Sequence, residues 1–83
     1  MNRIKVYGAG WCEDTQRTRA QLDALGVAYE YVNVEMDAAA NKHITELNNG
    51  KRKTPTVDLG GKILIEPSNE EMEDALRAGG VIR

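Results

Sequence analysis

Cross-links and soft metal ligands are nearly missing from this chain, whose 83 residues hold one cysteine and one histidine. A lone cysteine permits no internal disulfide and a lone histidine cannot build a zinc site, so neither is expected. The length suits one small domain, residues 1–83, with a thin core that must hold by packing alone. Long apolar runs are missing too. The opening M-N-R-I-K-V-Y lacks the hydrophobic segment of a signal peptide, and no stretch approaches membrane-spanning length. A reducing, cytoplasmic setting away from the membrane is the expectation. There are no repeats, linkers or low-complexity tracts. A net charge of −2 and an isoelectric point of about 5.3 argue against nucleic acid or an anionic membrane as the main partner.

Hydrophobic periodicity supplies the element order. R-I-K-V-Y alternates polar and apolar residues, which reads as a strand over 2–7, and Gly8, Ala9 and Gly10 follow as a loop. A helix fits 12–25, because Thr15, Thr18, Leu22 and Leu25 recur on one face, and Gly26 is placed to end it. V-A-Y-E-Y-V-N-V, residues 27–34, is rich in β-branched and aromatic residues and reads as a second strand. Asp37 can cap a second helix with Ala40, His43, Ile44 and Leu47 inward, closed by Gly50. T-V-D-L (56–59) and K-I-L-I (62–65) flank Gly60-Gly61, a hairpin signal. S-N-E-E, residues 68–71, is a capping box for a third helix with a stripe of Met72, Ala75 and Leu76, stopped at Gly79-Gly80. The order β-α-β-α-β-β-α predicts an α/β fold: a four-stranded mixed sheet with three helices on its two faces.

In this layout Cys12 stands where the loop after the first strand enters the first helix. Unpaired N–H groups and the positive end of the helix dipole favour a thiolate there, and the thiolate is the nucleophile. The plain alternative is a small core hydrophobe, but Gly8, Gly10, Glu13 and Asp14 make a poor core neighbourhood. Glu13 and Asp14 suit the first turn of a helix, yet they oppose a neighbouring thiolate. Thr15 lies one turn on; its hydroxyl either donates to the sulfur or simply fills the inner face of the helix. His43, on an apolar stripe, reads as a packed core residue.

Two further stretches bear on chemistry. Proline at the start of a strand suits position 55, and a cis Thr54-Pro55 bond would turn the backbone of Thr54 toward a ligand, whereas an ordinary turn would be trans. Lys51-Arg52-Lys53 is either a solvated loop or, so close to Thr54, a seat for a substrate carboxylate. The N-terminus of the third helix, at Ser68 and Asn69, offers free N–H groups to an anion, with Glu66 partly countering it.

W-C-x-x-T at the first helix, R-K-T-P-T-V before the hairpin and P-S-N before the last helix together resemble the glutaredoxin family over nearly the whole chain, most of all the small bacterial members that include the mycoredoxins. The resemblance implies a thioredoxin-like fold and thiol–disulfide exchange with glutathione, mycothiol or a similar low-molecular-weight thiol as co-substrate, and no tightly bound cofactor. It implies that Cys12 is the attacking thiol, and Thr15, one helical turn on, joins it as a catalytic candidate by spacing alone. It further implies that Trp11, Arg52, Lys53 and the cis Thr54-Pro55 pair line the bound thiol, with Ser68 and Asn69 holding its carboxylate. Thr15 replaces the second cysteine, which makes this a monothiol version; the usual lysine before the cysteine is absent, and Thr54 stands in place of the common valine.

The leading expectation is therefore a monomeric monothiol oxidoreductase acting on protein mixed disulfides. A carrier that holds a [2Fe–2S] cluster between two subunits is the second, disfavoured by the negative charge of Glu13 and Asp14 beside an anionic cluster. A thioredoxin-fold adaptor without chemistry is the third.

Overall fold

Alternate residues of the first strand go to opposite faces of the sheet, and that alternation creates two cores. A computed structural model describes residues 3–83. The elements are β1 (Lys5–Gly8), α1 (Glu13–Ala24), β2 (Glu30–Asn33), α2 (Ala38–Leu47), β3 (Thr56–Asp58), β4 (Ile63–Ile65) and α3 (Asn69–Ala78). Val6 is fully buried with Ile4, Val57, Leu22 of α1 and Met72 and Leu76 of α3. Tyr7, on the opposite face, meets Val34 and Ile44 of α2. Helices α1 and α3 therefore cover one face and α2 the other.

The strand order is β2-β1-β3-β4. β1 runs parallel to β2 through the α1 crossover, while β3 is antiparallel to both β1 and β4. This is the expected four-stranded mixed sheet. Gly60 and Gly61 connect β3 to β4 with positive φ of 83° and 120°, conformations open to glycine at little steric cost. The Asp58 carboxylate accepts both of their N–H groups at 2.8 and 2.9 Å, so the turn is locked from inside the hairpin. The capping box forms as expected: Ser68 N–H donates to Glu71 Oε1 at 2.9 Å and Glu71 N–H to Ser68 Oγ at 3.1 Å. Asp37 caps α2 by accepting the N–H of Ala40 at 3.0 Å.

Four expectations need correction. Of the strand expected over 2–7, Asn2 lies outside the described residues, Arg3 and Ile4 precede the strand, and β1 runs from Lys5 into Gly8, which pairs with Asn33. β2 begins at Glu30 rather than 27, because Val27 N–H still returns to Leu22 O (2.9 Å) and belongs to the exit of α1. His43 is exposed, not packed in the core; its ring rests at the margin, 5.7 Å from that of Tyr7. Leu47 is 41% exposed, because α2 meets the sheet along the Ala40–Ile44 ridge and the last turn of the helix lies beyond it. Among the described residues no helix is long and apolar enough to cross a membrane.

Gly8 is the position where α1 touches β1 most closely. A methyl group there would lie 2.7 Å from Thr15 Oγ1 and closer still to the Thr15 methyl. Thr15 is 1% exposed and has nowhere to retreat. Gly8→Ala should therefore destabilise the fold by about 1–3 kcal/mol, an overpacking cost. Urea unfolding is expected to show a lower midpoint with an unchanged slope.

Candidate functional site

The register of the sheet decides which loops meet. Gly8 ends β1 beside Asn33 at the end of β2; Tyr7 pairs with Thr56 at the start of β3, and Thr56 with Ile65 at the end of β4. The β1–α1 loop, the residues before β3 and the β4–α3 connection therefore lie at one end of the sheet. These segments carry Trp11 and Cys12, Lys51 to Pro55, and Glu66 to Asn69 respectively.

Cys12 is the N-cap of α1, with extended φ and ψ of −80° and 117°. Its N–H donates to Ala9 O at 3.1 Å, and its carbonyl accepts the first helical bond, from Gln16 N–H at 3.1 Å. The loop is braced by Gln16 Nε2, which donates to Gly10 O at 2.6 Å. The half-buried thiol does not cap the helix; it donates to the carbonyl of Thr54 at 3.6 Å. Beneath it, Thr15 Oγ1 accepts the N–H of Ala9 at 3.4 Å. Burial pushes the Cys12 thiol up. Hydrogen bonds from the hydroxyl and N–H of Thr15, then from the Thr54 side chain and the N–H of Asp14, outweigh it, and the pKa falls below the ordinary thiol value. The N-terminus of α1 acts in the same direction.

The acids beside the cysteine are handled differently from each other. Glu13 is exposed to water, where its field is screened. Asp14 is paired with Arg17 at 3.0 Å, and the same guanidinium donates to Pro67 O at 3.2 Å. Arg17 thus ties the first turn of α1 to the β4–α3 connection, and Gln21 Nε2 adds a second tie to Asn69 O at 2.7 Å. Neither residue stands out in the sequence for this role. The Asp14–Arg17 spacing is a recognisable i,i+3 pair, but its long-range partner is not.

The Thr54–Pro55 bond is cis, and Pro55 is buried. Thr56 Oγ1 donates to Lys53 O at 2.7 Å, and Pro55 O accepts Glu66 N–H at 2.8 Å, so the residues on either side of Thr54 are held from both directions. Glu66 adopts a left-handed φ of 49°. Cys12, Thr15 and Thr54 are brought into direct contact. Trp11, 65% exposed, precedes Cys12 in the chain, and the exposed Lys51, Arg52 and Lys53 lead into Thr54. Ser68 and Asn69 arrive at the same end of the sheet, but the hydroxyl and N–H of Ser68 are both occupied by Glu71. The Ser68 N–H, and secondly its hydroxyl, hold the Glu71 carboxyl below its ordinary pKa.

A sulfur at a helix start, lined by hydroxyls and N–H groups and open to solvent on one side, can act as a nucleophile toward another sulfur. The Thr15 hydroxyl is the largest of the favourable contributions to its acidity. Thr15→Val keeps the shape and removes the donor, so the Cys12 pKa should rise toward that of an ordinary thiol. The sign is fixed: less thiolate at neutral pH and slower alkylation, with the rate-versus-pH curve displaced to higher pH. Thiolate absorbance and iodoacetamide kinetics measure both.

The family model for Glutaredoxin matches residues 4–64. A Mycobacterium tuberculosis protein named as a glutaredoxin is 32% identical over 74 residues, covering 88% of each chain. Mycoredoxin 1 of Corynebacterium glutamicum is 30% identical over 57 residues, 69% of this chain and 70% of its own. Among solved structures, the glutaredoxin of Archaeoglobus fulgidus overlays with a TM-score of 0.78 at 22% identity, over 93% of this chain and 88% of that one. Built on the thioredoxin-like arrangement and matched in sequence along most of its length, the chain belongs to the glutaredoxin family, whose general chemistry is thiol–disulfide exchange.

Proposed function

We propose that this chain is a monothiol oxidoreductase that reduces mixed disulfides between proteins and a low-molecular-weight thiol of the glutathione or mycothiol type. The observation that supports it most is the position of the Cys12 sulfur, 3.6 Å from the carbonyl of Thr54 and beside the hydroxyl-bearing Thr15. In the first step the Cys12 thiolate attacks the small-thiol sulfur of the mixed disulfide. A new S–S bond joins Cys12 to the small thiol, and the protein cysteine leaves as thiolate. A second small-thiol thiolate then attacks the small-thiol sulfur now bound to Cys12, giving the free small disulfide and restoring Cys12. The cycle needs no second protein cysteine.

In this reading Thr15 stabilises the thiolate both as attacker and as leaving group. The backbone of Thr54, presented ahead of Pro55, pairs with the peptide part of the small thiol. Arg52 and Lys53 meet its carboxylate, and Trp11 offers an apolar wall to either substrate. Ser68 and Asn69 provide the remaining flank. A buckwheat glutaredoxin has been solved in complex with glutathione, with a TM-score of 0.70 to this chain at 22% identity, over 94% of this chain and 71% of that one. Residues 1–83 act as a single domain and a monomer in the cytoplasm, and no cofactor stays bound between turnovers.

Two variants test the proposal. Cys12→Ser should abolish reduction of a glutathionylated or mycothiolated protein; retention of activity would end the nucleophile assignment. Thr15→Cys places a second sulfur one helical turn from the first, within reach of a disulfide. That variant should lose both free thiols on mild oxidation and acquire a dithiol route to ordinary protein disulfides. If both thiols stay free, the two side chains do not face each other.

A further inference from the structure

Away from Cys12, where α1 packs beside the edge strand β2, one arginine is held in place with most of its donors unused. Arg19 lies in mid-helix, and its guanidinium stacks over the Tyr31 ring, 3.8 Å from the centroid. Its Nε donates to Tyr29 Oη at 3.1 Å. Both tyrosines are fixed in turn, because they pack against the Val6 core. Glu30, between them, is sent to the opposite face by the alternation of the strand. Nη1 and Nη2 of Arg19 are left over: among the described residues the ion pairs are Arg17–Asp14 and Arg77–Glu73. The Tyr29 bond raises the pKa of Arg19 against the effect of burial, and the charge of Asp23 adds to the rise. The Tyr31 hydroxyl is buried and also lacks a partner among the described residues.

These groups wall a pocket of about 360 Å³ that is completed by Asp23, Val27 and Ala28. Val27 and Ala28 also wall a cavity of about 610 Å³, whose apolar lining includes Ile4 and Leu25. A charged compartment therefore adjoins an apolar one across two short side chains. Each volume falls in the range of small-molecule sites, about 300–1,000 Å³.

The charged compartment holds one charge of each sign. Asp23 is exposed and one turn beyond Arg19. An anion on Arg19 is opposed by Asp23, and a cation on Asp23 is opposed by Arg19. A molecule carrying both charges a few ångströms apart is attracted by both. Its carboxylate matches the planar fork of Nη1 and Nη2, which the stacking on Tyr31 already orients.

We propose that this flank is a second binding site, for free α-amino acids with an apolar or aromatic side chain. The carboxylate sits on Arg19, the ammonium faces Asp23, and the side chain lies over Val27 and Ala28 toward the apolar cavity. Asp23 follows Cys12 by eleven residues, roughly 16 Å along α1 at about 1.5 Å per residue. The site is thus separate from the thiol and does not depend on the chemistry proposed there.

NMR titration of the nitrogen-15-labelled full chain with four probes tests this. L-Phenylalanine carries both charges and the apolar body, 3-phenylpropionate only the carboxylate, and 2-phenylethylamine only the ammonium. Glycine has both charges without the body. The amides of Val27, Ala28, Tyr29 and Tyr31 should shift and saturate with L-phenylalanine. Its affinity should exceed that of either single-charge probe by about three- to fivefold, the reach of one exposed ion pair. Glycine should bind more weakly than L-phenylalanine, because it leaves the apolar wall uncovered. D23N should weaken L-phenylalanine, strengthen 3-phenylpropionate and bring the two together. R19Q should weaken both carboxylates and spare 2-phenylethylamine. The spectrum of each variant reports its folding, and if R19Q does not fold, the exposed D23N substitution decides alone. No saturable shift at Val27 to Tyr31, equal affinities for the three phenyl probes, tighter binding of a single-charge probe, or an inert D23N overturns the proposal.

Discussion

The contact between Thr15 and Gly8 is what the rest of the site depends on. Thr15 is buried against a strand residue that lacks a side chain, so the first turn of α1 lies closer to β1 than any Cβ would allow. That close approach lets one hydroxyl serve two neighbours. It accepts the N–H of Ala9 in the loop and remains free to donate to the sulfur of Cys12. A serine, threonine or cysteine at this position meets the steric demand; a leucine does not. The loop, the helix start and the nucleophile are therefore set by one buried contact rather than by the exposed residues around them.

The same contact explains how a thiolate is compatible with two acids in the helix turn that follows it. Hydrogen bonds to an ionised group contribute about 1.5–3 kcal/mol each, whereas exposed charges across water interact by roughly 1 kcal/mol or less. The side chains of Thr15 and Thr54 act on the sulfur as hydrogen-bond donors. Glu13 is in solvent, and Asp14 is neutralised by Arg17. The short-range donors win, and the acids are left to stabilise the helix through its dipole. Arg17 adds a mechanical role, since its second bond, to Pro67 O, ties the nucleophile's helix to the loop that leads into α3.

What was legible in the sequence was local. The helix face formed by Thr15, Thr18, Leu22 and Leu25 follows from a period of 3.6, and the structure buries the first three and half-buries the last. The Gly60-Gly61 turn and the Ser68–Glu71 box each carry their geometry in a few adjacent residues. What escaped was set by packing between distant segments. Gly8 reads as loop because its reason for being glycine lies seven residues away on another element. His43 and Leu47 fit an apolar stripe, yet α2 presents only its Ala40–Ile44 ridge to the sheet. The links from Arg17 to Pro67 and from Gln21 to Asn69 span about half the chain, and no periodicity encodes them.

The placement of empty space fits this chemistry. One cavity, of about 610 Å³, is at the other end of β1, lined by Ile4, Leu25, Val27, Val81 and neighbouring glycines, with no nucleophile or charged group among its walls. Cys12 sits instead on an open rim beside the exposed Trp11. Exchange between sulfurs requires the attacking, central and leaving sulfur atoms to come roughly into line, and in the proposed reaction the leaving sulfur belongs to a folded protein. A deep pocket would shut that partner out. An open rim admits it, and the partial burial that remains there still pushes the Cys12 thiol up. The side-chain hydrogen bonds of Thr15 and Thr54 outweigh that burial and make a half-buried, accessible position chemically sufficient, because they act on the sulfur without enclosing it.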